Sequence, residues 1–144
     1  MSTAPGRPRA SSHRSPQGER ILASVQASSG AADLPLSGVR VVDFTQVMMG
    51  PVCTQMLGDY GADVLKIERK GAGDLSRSTF EPVHGADNPI FCSLNRNKRS
   101  AALDLRDPQA LAAVKALIAD ADVVVNKFRA GALERMRLAH AQSQ

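Results

Sequence analysis

Three β-branched apolar runs, "GVRVVDF" (38–44), "ADVLKIE" (62–68) and "ADVVVNKF" (121–128), alternate with stretches of helical spacing. This alternation constrains the fold more than any other feature of the chain. A continuous apolar run suits a strand covered on both faces, and strands separated by helices form right-handed βαβ units with parallel strands. Pro51 opens "PVCTQMLGDYG", where Val52, Met56 and Leu57, with Cys53 and Tyr60, share one helical face, and Gly61 suits the stop. A further strand is expected over 99–105. Asp107 and Pro108 then cap a helix whose stripe is Leu111, Val114, Leu117 and Ile118. "PIFCSLN" reads equally as a short helix or a strand, and "GALERMRL" begins another helix. The expected architecture is α/β, a Rossmann-like parallel sheet of βαβ units.

The alternation begins only at Leu34. Residues 1–33 are rich in Pro, Ser, Gly and Arg and are read as a disordered tail, with an organelle presequence as the sharper alternative. Residues 34–138 form the α/β portion, and 139–144 an unstructured end. Composition is ordinary, at 43% hydrophobic and 22% charged. A net charge of +4 permits an anionic ligand, but an aromatic content of 3% argues against base-stacking nucleic-acid platforms. Cys53 and Cys92 stand alone, each expected as a small buried residue, and no Cys or His spacing suggests a metal site. No run reaches membrane-spanning length. The chain is therefore expected in the cytoplasm, or in an organelle matrix if 1–33 is a presequence.

In open α/β sheets, ligands bind beyond the carboxyl ends of the strands. The loops there hold Arg69, Lys70, Arg106, Lys127 and Arg129, with Arg135 slightly further on. Cations converging on one edge beside helix N-termini suit a phosphate-bearing ligand, although any single one reads equally as a solvated side chain. "SLNRNKRS" (93–100) is either a solvated turn or an anion-contacting loop. Glu68 ends a strand where a dinucleotide fold keeps a ribose-binding acid, but "TQVMMGPVCTQMLG" has no G-x-G-x-x-G spacing. No nucleophile elbow or Cys–His pair is visible, and Asp43, Asp59, Asp63, Asp74 and Asp104 are candidates by residue type alone.

Four stretches, "LPLSGVRVVDFTQVMMGPVCTQMLGDYGADVLKIER", "GAGDLSR", "LNRNKRSAALDLRDP" and "ADVVVNKFRAGALERM", lie in the order and spacing of one family. Together they resemble the amino-terminal part of the class III CoA-transferases, which include formyl-CoA transferases, carnitine CoA-transferases and α-methylacyl-CoA racemases. The resemblance implies a Rossmann-like large domain, an interlocked homodimer, and acyl-CoA and a carboxylic acid as substrates, with no permanently bound cofactor. It places Val47 and Met48 at the CoA thiol end and Arg69 near the adenosine phosphate. Leu103, Asp104, Leu105 and Arg106 fall along the adenine, while Lys127, Phe128, Arg129 and Arg135 are further CoA contacts. Met48 stands where some formyl-CoA transferases have Gln and many relatives a small residue. The family's reaction runs through an aspartate that forms an anhydride and then a thioester, a covalent mechanism. No Asp of this chain matches that position, which is expected beyond residue 144. Departures at "NKF" (126–128), "RAG" (129–131) and the closing "AHAQSQ" set up the expectation of a truncated product, inactive alone. The alternative is a non-catalytic CoA- or nucleotide-binding module.

Overall fold

A computed structural model describes residues 34–79, 88–135 and 138. The expectations for residues 1–33 and 139–144, and the middle of the 69–89 loop, lie outside the described residues. Strands β1 (Arg40–Asp43), β2 (Asp63–Arg69), β3 (Lys98–Leu103) and β4 (Val123–Val125) form one sheet in the order β3-β2-β1-β4. Every pairing is parallel, with Val42 opposite both Leu65 and Val124, and Ile67 opposite Ala101. Between the strands lie α1 (Met49–Asp59), a 3₁₀ turn (Leu75–Arg77), α2 (Pro89–Asn95) and α3 (Pro108–Ala119), and α4 (Ala132–Arg135) follows β4. The chain steps outward from β1 to β3 and then returns to the other side of β1. That reversal creates a switch point between the loops that follow β1 and β4.

Strand alternation sends successive side chains to opposite faces, and both faces are covered. On one, Val42, Phe44, Leu65 and Ile67 pack with Val114, Leu117 and Ile118 of α3, forming the main apolar core. The expected α3 stripe is therefore the buried one, with Leu111 partly buried against it. Asp107 caps α3 by accepting the Gln109 N–H at 2.9 Å. On the other face, Val41 and Val64 pack against Leu36, Val39 and Leu57. Towards the carboxyl end this face changes character, because Asp43, Lys66 and Glu68 are all buried there.

That change overturns the reading of α1. Its buried residues are Pro51, Thr54, Gln55 and Gly58, whereas Cys53, Met56 and Tyr60 are exposed. The helix lies over a polar patch of the sheet, so Thr54 turns inward to Asp43 and Cys53, Met56 and Tyr60 turn outward, while Leu57 keeps its packing against Val41 and Val64. Cys53 and Cys92 are likewise exposed on their helices, contrary to the expectation of burial. "PIFCSLN" is a helix, capped by Asn88 accepting the Ile90 N–H at 2.9 Å and opened by Pro89. Gly61 does end α1's turn, with φ of 101°.

Candidate functional site

At the carboxyl end of β1, the Asp43 carboxylate gathers donors from three elements. One oxygen accepts the Thr45 N–H at 2.8 Å and its hydroxyl at 2.5 Å. The other accepts the Thr54 hydroxyl of α1 at 2.6 Å and lies 3.3 Å from the Lys98 ammonium of β3. Lys98 also donates to the Pro51 carbonyl at 2.8 Å and to Asn95 Oδ1 at 3.0 Å. Burial pushes the Lys98 ammonium below the usual lysine range, although the Asp43 charge opposes the shift.

Beside this knot, Lys66 Nζ donates to the Thr45 carbonyl at 2.7 Å and pairs with Asp74 Oδ2 at 2.8 Å. Asp74 Oδ1 accepts the Ser76 N–H and hydroxyl, each at 2.8 Å, and the Val47 N–H at 3.1 Å. Burial alone would raise the Asp74 carboxyl, but the Lys66 and Ser76 donors outweigh it and hold it below the usual carboxylate range. Glu68 is also lowered: burial works against it, and the Arg77 guanidinium, the Ser100 hydroxyl and the Asp74 N–H prevail. Arg77 holds Glu68 through two hydrogen bonds of 2.8 and 2.9 Å and lies 3.5 Å above the Phe91 ring. Glu68 is thus occupied by the protein itself rather than presented to a ribose.

These contacts shape the loop from β1 into α1. Val47 sits at φ of 74°, a conformation that β-branched residues rarely adopt. Gly50 is required by close approach, since a Cβ there would fall 2.4 Å from the Thr45 Cβ. The glycine of "MMGP" therefore makes room for the Thr45 side chain.

A cleft of about 440 Å³ opens beyond the carboxyl ends of β1, β2 and β3. It brings together Arg69, Leu103, Asp104, Leu105, Arg106 and Phe128 of the expected site residues. Phe44, Gln46, Ile67 and Glu68 complete the wall and were not singled out from the sequence as CoA contacts. Phe44 and Gln46 had a legible signal all the same, because they follow directly on a strand at the switch point. The Phe44 and Phe128 rings pack 6.0 Å apart, joining the loops after β1 and β4. Arg106, 91% exposed, forms an ion pair with Asp104 at 3.0 Å, and its guanidinium holds the Asp104 carboxyl below the usual range. The N-terminus of α3 follows directly and adds a favourable dipole for an anion.

The other expected contacts do not line this cleft. Met48 is exposed and Val47 half-buried on the adjoining loop, next to Gln46. Lys127 and Arg129 flank Phe128 and are exposed, as is Arg135 at the end of α4. A larger cavity, about 720 Å³, lies at the opposite edge, among Arg40, Asp63, Arg99 and the last residues of α1 and α3. Helix C-termini face it, so it suits an anion less well than the smaller cleft. Among the described residues no group of His, Cys, Asp and Glu could hold a metal ion, and no helix is long and apolar enough to cross a membrane.

A doubly wound parallel sheet with its cleft at the switch point defines a Rossmann-like α/β domain, of the kind that takes ligands beyond its strand ends. The chain belongs to CoA-transferase family III, whose model matches residues 36–144. It is 48% identical over 101 residues to the formyl-CoA:oxalate CoA-transferase of Afipia carboxidovorans, covering 70% of this chain and 24% of that protein. The enzyme of the same name from Bradyrhizobium diazoefficiens is 46% identical over 101 residues, with the same coverage. The chain thus spans about a quarter of the length of these curated relatives. Among solved structures, the hypothetical protein Rv3272 from Mycobacterium tuberculosis superposes with a TM-score of 0.69 at 38% identity, over 76% of this chain and 30% of that one. A CAIB/BAIF family protein from Brucella suis gives 0.68 at 37% identity, with the same coverage.

Proposed function

We propose that this chain forms the CoA-binding segment of an enzyme that transfers CoA between carboxylic acids, acting in the cytoplasm as a homodimer on acyl-CoA substrates. The observation that carries this reading is the gathering of Arg69, Leu103–Arg106 and Phe128 around one cleft in a family III chain. Arg69 and Arg106 would meet the phosphates, and Phe128 and Leu105 the adenine. The loop carrying Val47 and Met48 would extend to the thiol end. Lys127, Arg129 and Arg135 would add charge around the rim. On this reading residues 34–138 bind and position CoA. Relatives named formyl-CoA:oxalate CoA-transferase favour small carboxylates as the exchanging acids.

Isothermal titration with CoA, acetyl-CoA and NAD tests this. Heat with the CoA species and none with NAD supports it, and the reverse pattern would replace it with a nucleotide-binding module of another class. Arg69→Ala is expected to weaken CoA binding by roughly 1–3 kcal/mol, the worth of a charge-assisted contact. Unchanged affinity would return Arg69 to the solvated surface.

A further inference from the structure

We propose that Asp74, with Lys66, acts as a positioning residue for the ligand-facing loop, clamping the backbone of residues 45–47 from both ends. The inference rests on the CoA reading of the cleft. Lys66 Nζ takes the Thr45 carbonyl at 2.7 Å, and Asp74 Oδ1 takes the Val47 N–H at 3.1 Å. The two clamping side chains are themselves joined by an ion pair of 2.8 Å and are fully buried. Between the clamped groups sits Gln46, one of the residues lining the cleft. Val47 occupies a left-handed conformation, with φ of 74°, that a β-branched residue leaves unless something holds it. The Asp74 carboxylate supplies that hold from 27 residues away in sequence. Asp74 is in turn fixed by the Ser76 N–H and hydroxyl, and its own N–H donates to Glu68 Oε2 at 2.8 Å. The "GAGDLSR" turn, which contributes no lining residue of its own, thereby sets where the loop after β1 stands.

The test uses the full chain and two ligands, CoA and adenosine 3′,5′-bisphosphate, which lacks the pantetheine arm. Hydrogen exchange at the Val47 amide is read by NMR in parallel. In Asp74→Ala, Val47 exchange is expected to accelerate at least about tenfold while the Val64 and Leu65 amides of β2 stay protected, as loss of one charge-assisted hydrogen bond dictates. CoA affinity is expected to fall about tenfold and bisphosphate affinity less than about twofold, because only the loop near the thiol end moves. If β2 protection is lost as well, Asp74→Asn, of the same shape, is measured with the same readouts. An unprotected Val47 amide in the unaltered protein, or one indifferent to both substitutions, would overturn the clamp. Equal weakening of both ligands with β2 intact would overturn the positioning role. Absence of CoA heat in the unaltered protein would remove the CoA reading, while the exchange measurement still decides the clamp.

Discussion

Asp43→Ala is expected to cost about 3–5 kcal/mol of folding free energy, the range for breaking a buried charge pair by removing one partner. The carboxylate is fully buried, and its loss leaves the Thr45 N–H and hydroxyl without their acceptor and the Lys98 ammonium without its nearest counter-charge, while the Thr54 hydroxyl keeps only longer contacts to the Gly50 and Pro51 carbonyls. Lys98 keeps the Pro51 carbonyl and Asn95 Oδ1, which are neutral and cannot balance its charge. Small domains are stable by only about 5–15 kcal/mol, so this single change removes a large share of the total. Denaturant unfolding followed by circular dichroism measures it. In Asp43→Ala/Lys98→Met, where no unpaired ammonium remains, about 1–3 kcal/mol should return as coupling between the pair. A loss below about 1 kcal/mol in the single variant would show that Asp43 anchors nothing.

Lys66→Met is expected to destabilise by a similar amount, about 3–5 kcal/mol at neutral pH, and the loss should shrink in acid. In the unaltered protein the Asp74 carboxyl is lowered, so its contribution is present above the unfolded value, about 3.9, and fades as pH falls through the native one. Without the ammonium, one of the donors that offset burial is gone, so the Asp74 carboxyl is lowered less than in the unaltered protein. The variant then gains relative stability as Asp74 protonates. The two stability curves should therefore converge as pH falls from about 5 to below 4. Parallel curves across that interval would mean that Asp74 is not the partner that matters. Glu68, lowered mainly by Arg77 against its burial, loses its contribution on acidification in both proteins and so leaves the difference untouched.

What could be read from residues alone follows the physics of each element. The α3 stripe was legible because its partner face, Val42, Phe44, Leu65 and Ile67, is apolar, so periodicity and burial coincide. The α1 face was not legible. Its buried side is Thr54, Gln55 and Gly58, and only the Asp43 carboxylate across the interface makes that burial favourable. Lys66, in "DVLKIER", carries no local sign of its partner, yet its side chain is 1% exposed because Asp74 arrives from a distant turn. The cleft was half visible: basic residues following the strands pointed to the edge where it opens, and Arg69 and Leu103–Arg106, which the resemblance picked out, line it. Gln46 follows directly on β1 at the switch point, but its residue type carries no charge that would single it out. Its placement depends on Val47 adopting a backbone conformation that no glycine announces.

The position of β4 has a consequence for handling the protein. Val123–Val125 pairs with β1 along one side only, and among the described residues no strand lies beyond it. Val123 and Val124 are 38% and 36% exposed, so a β-branched edge with unpaired backbone groups faces outward. Such an edge is a template for strand addition, which drives self-association when nothing covers it. Expressed as this chain, the protein should lose monomer with rising concentration, and a lysine placed at Val124 should slow that loss.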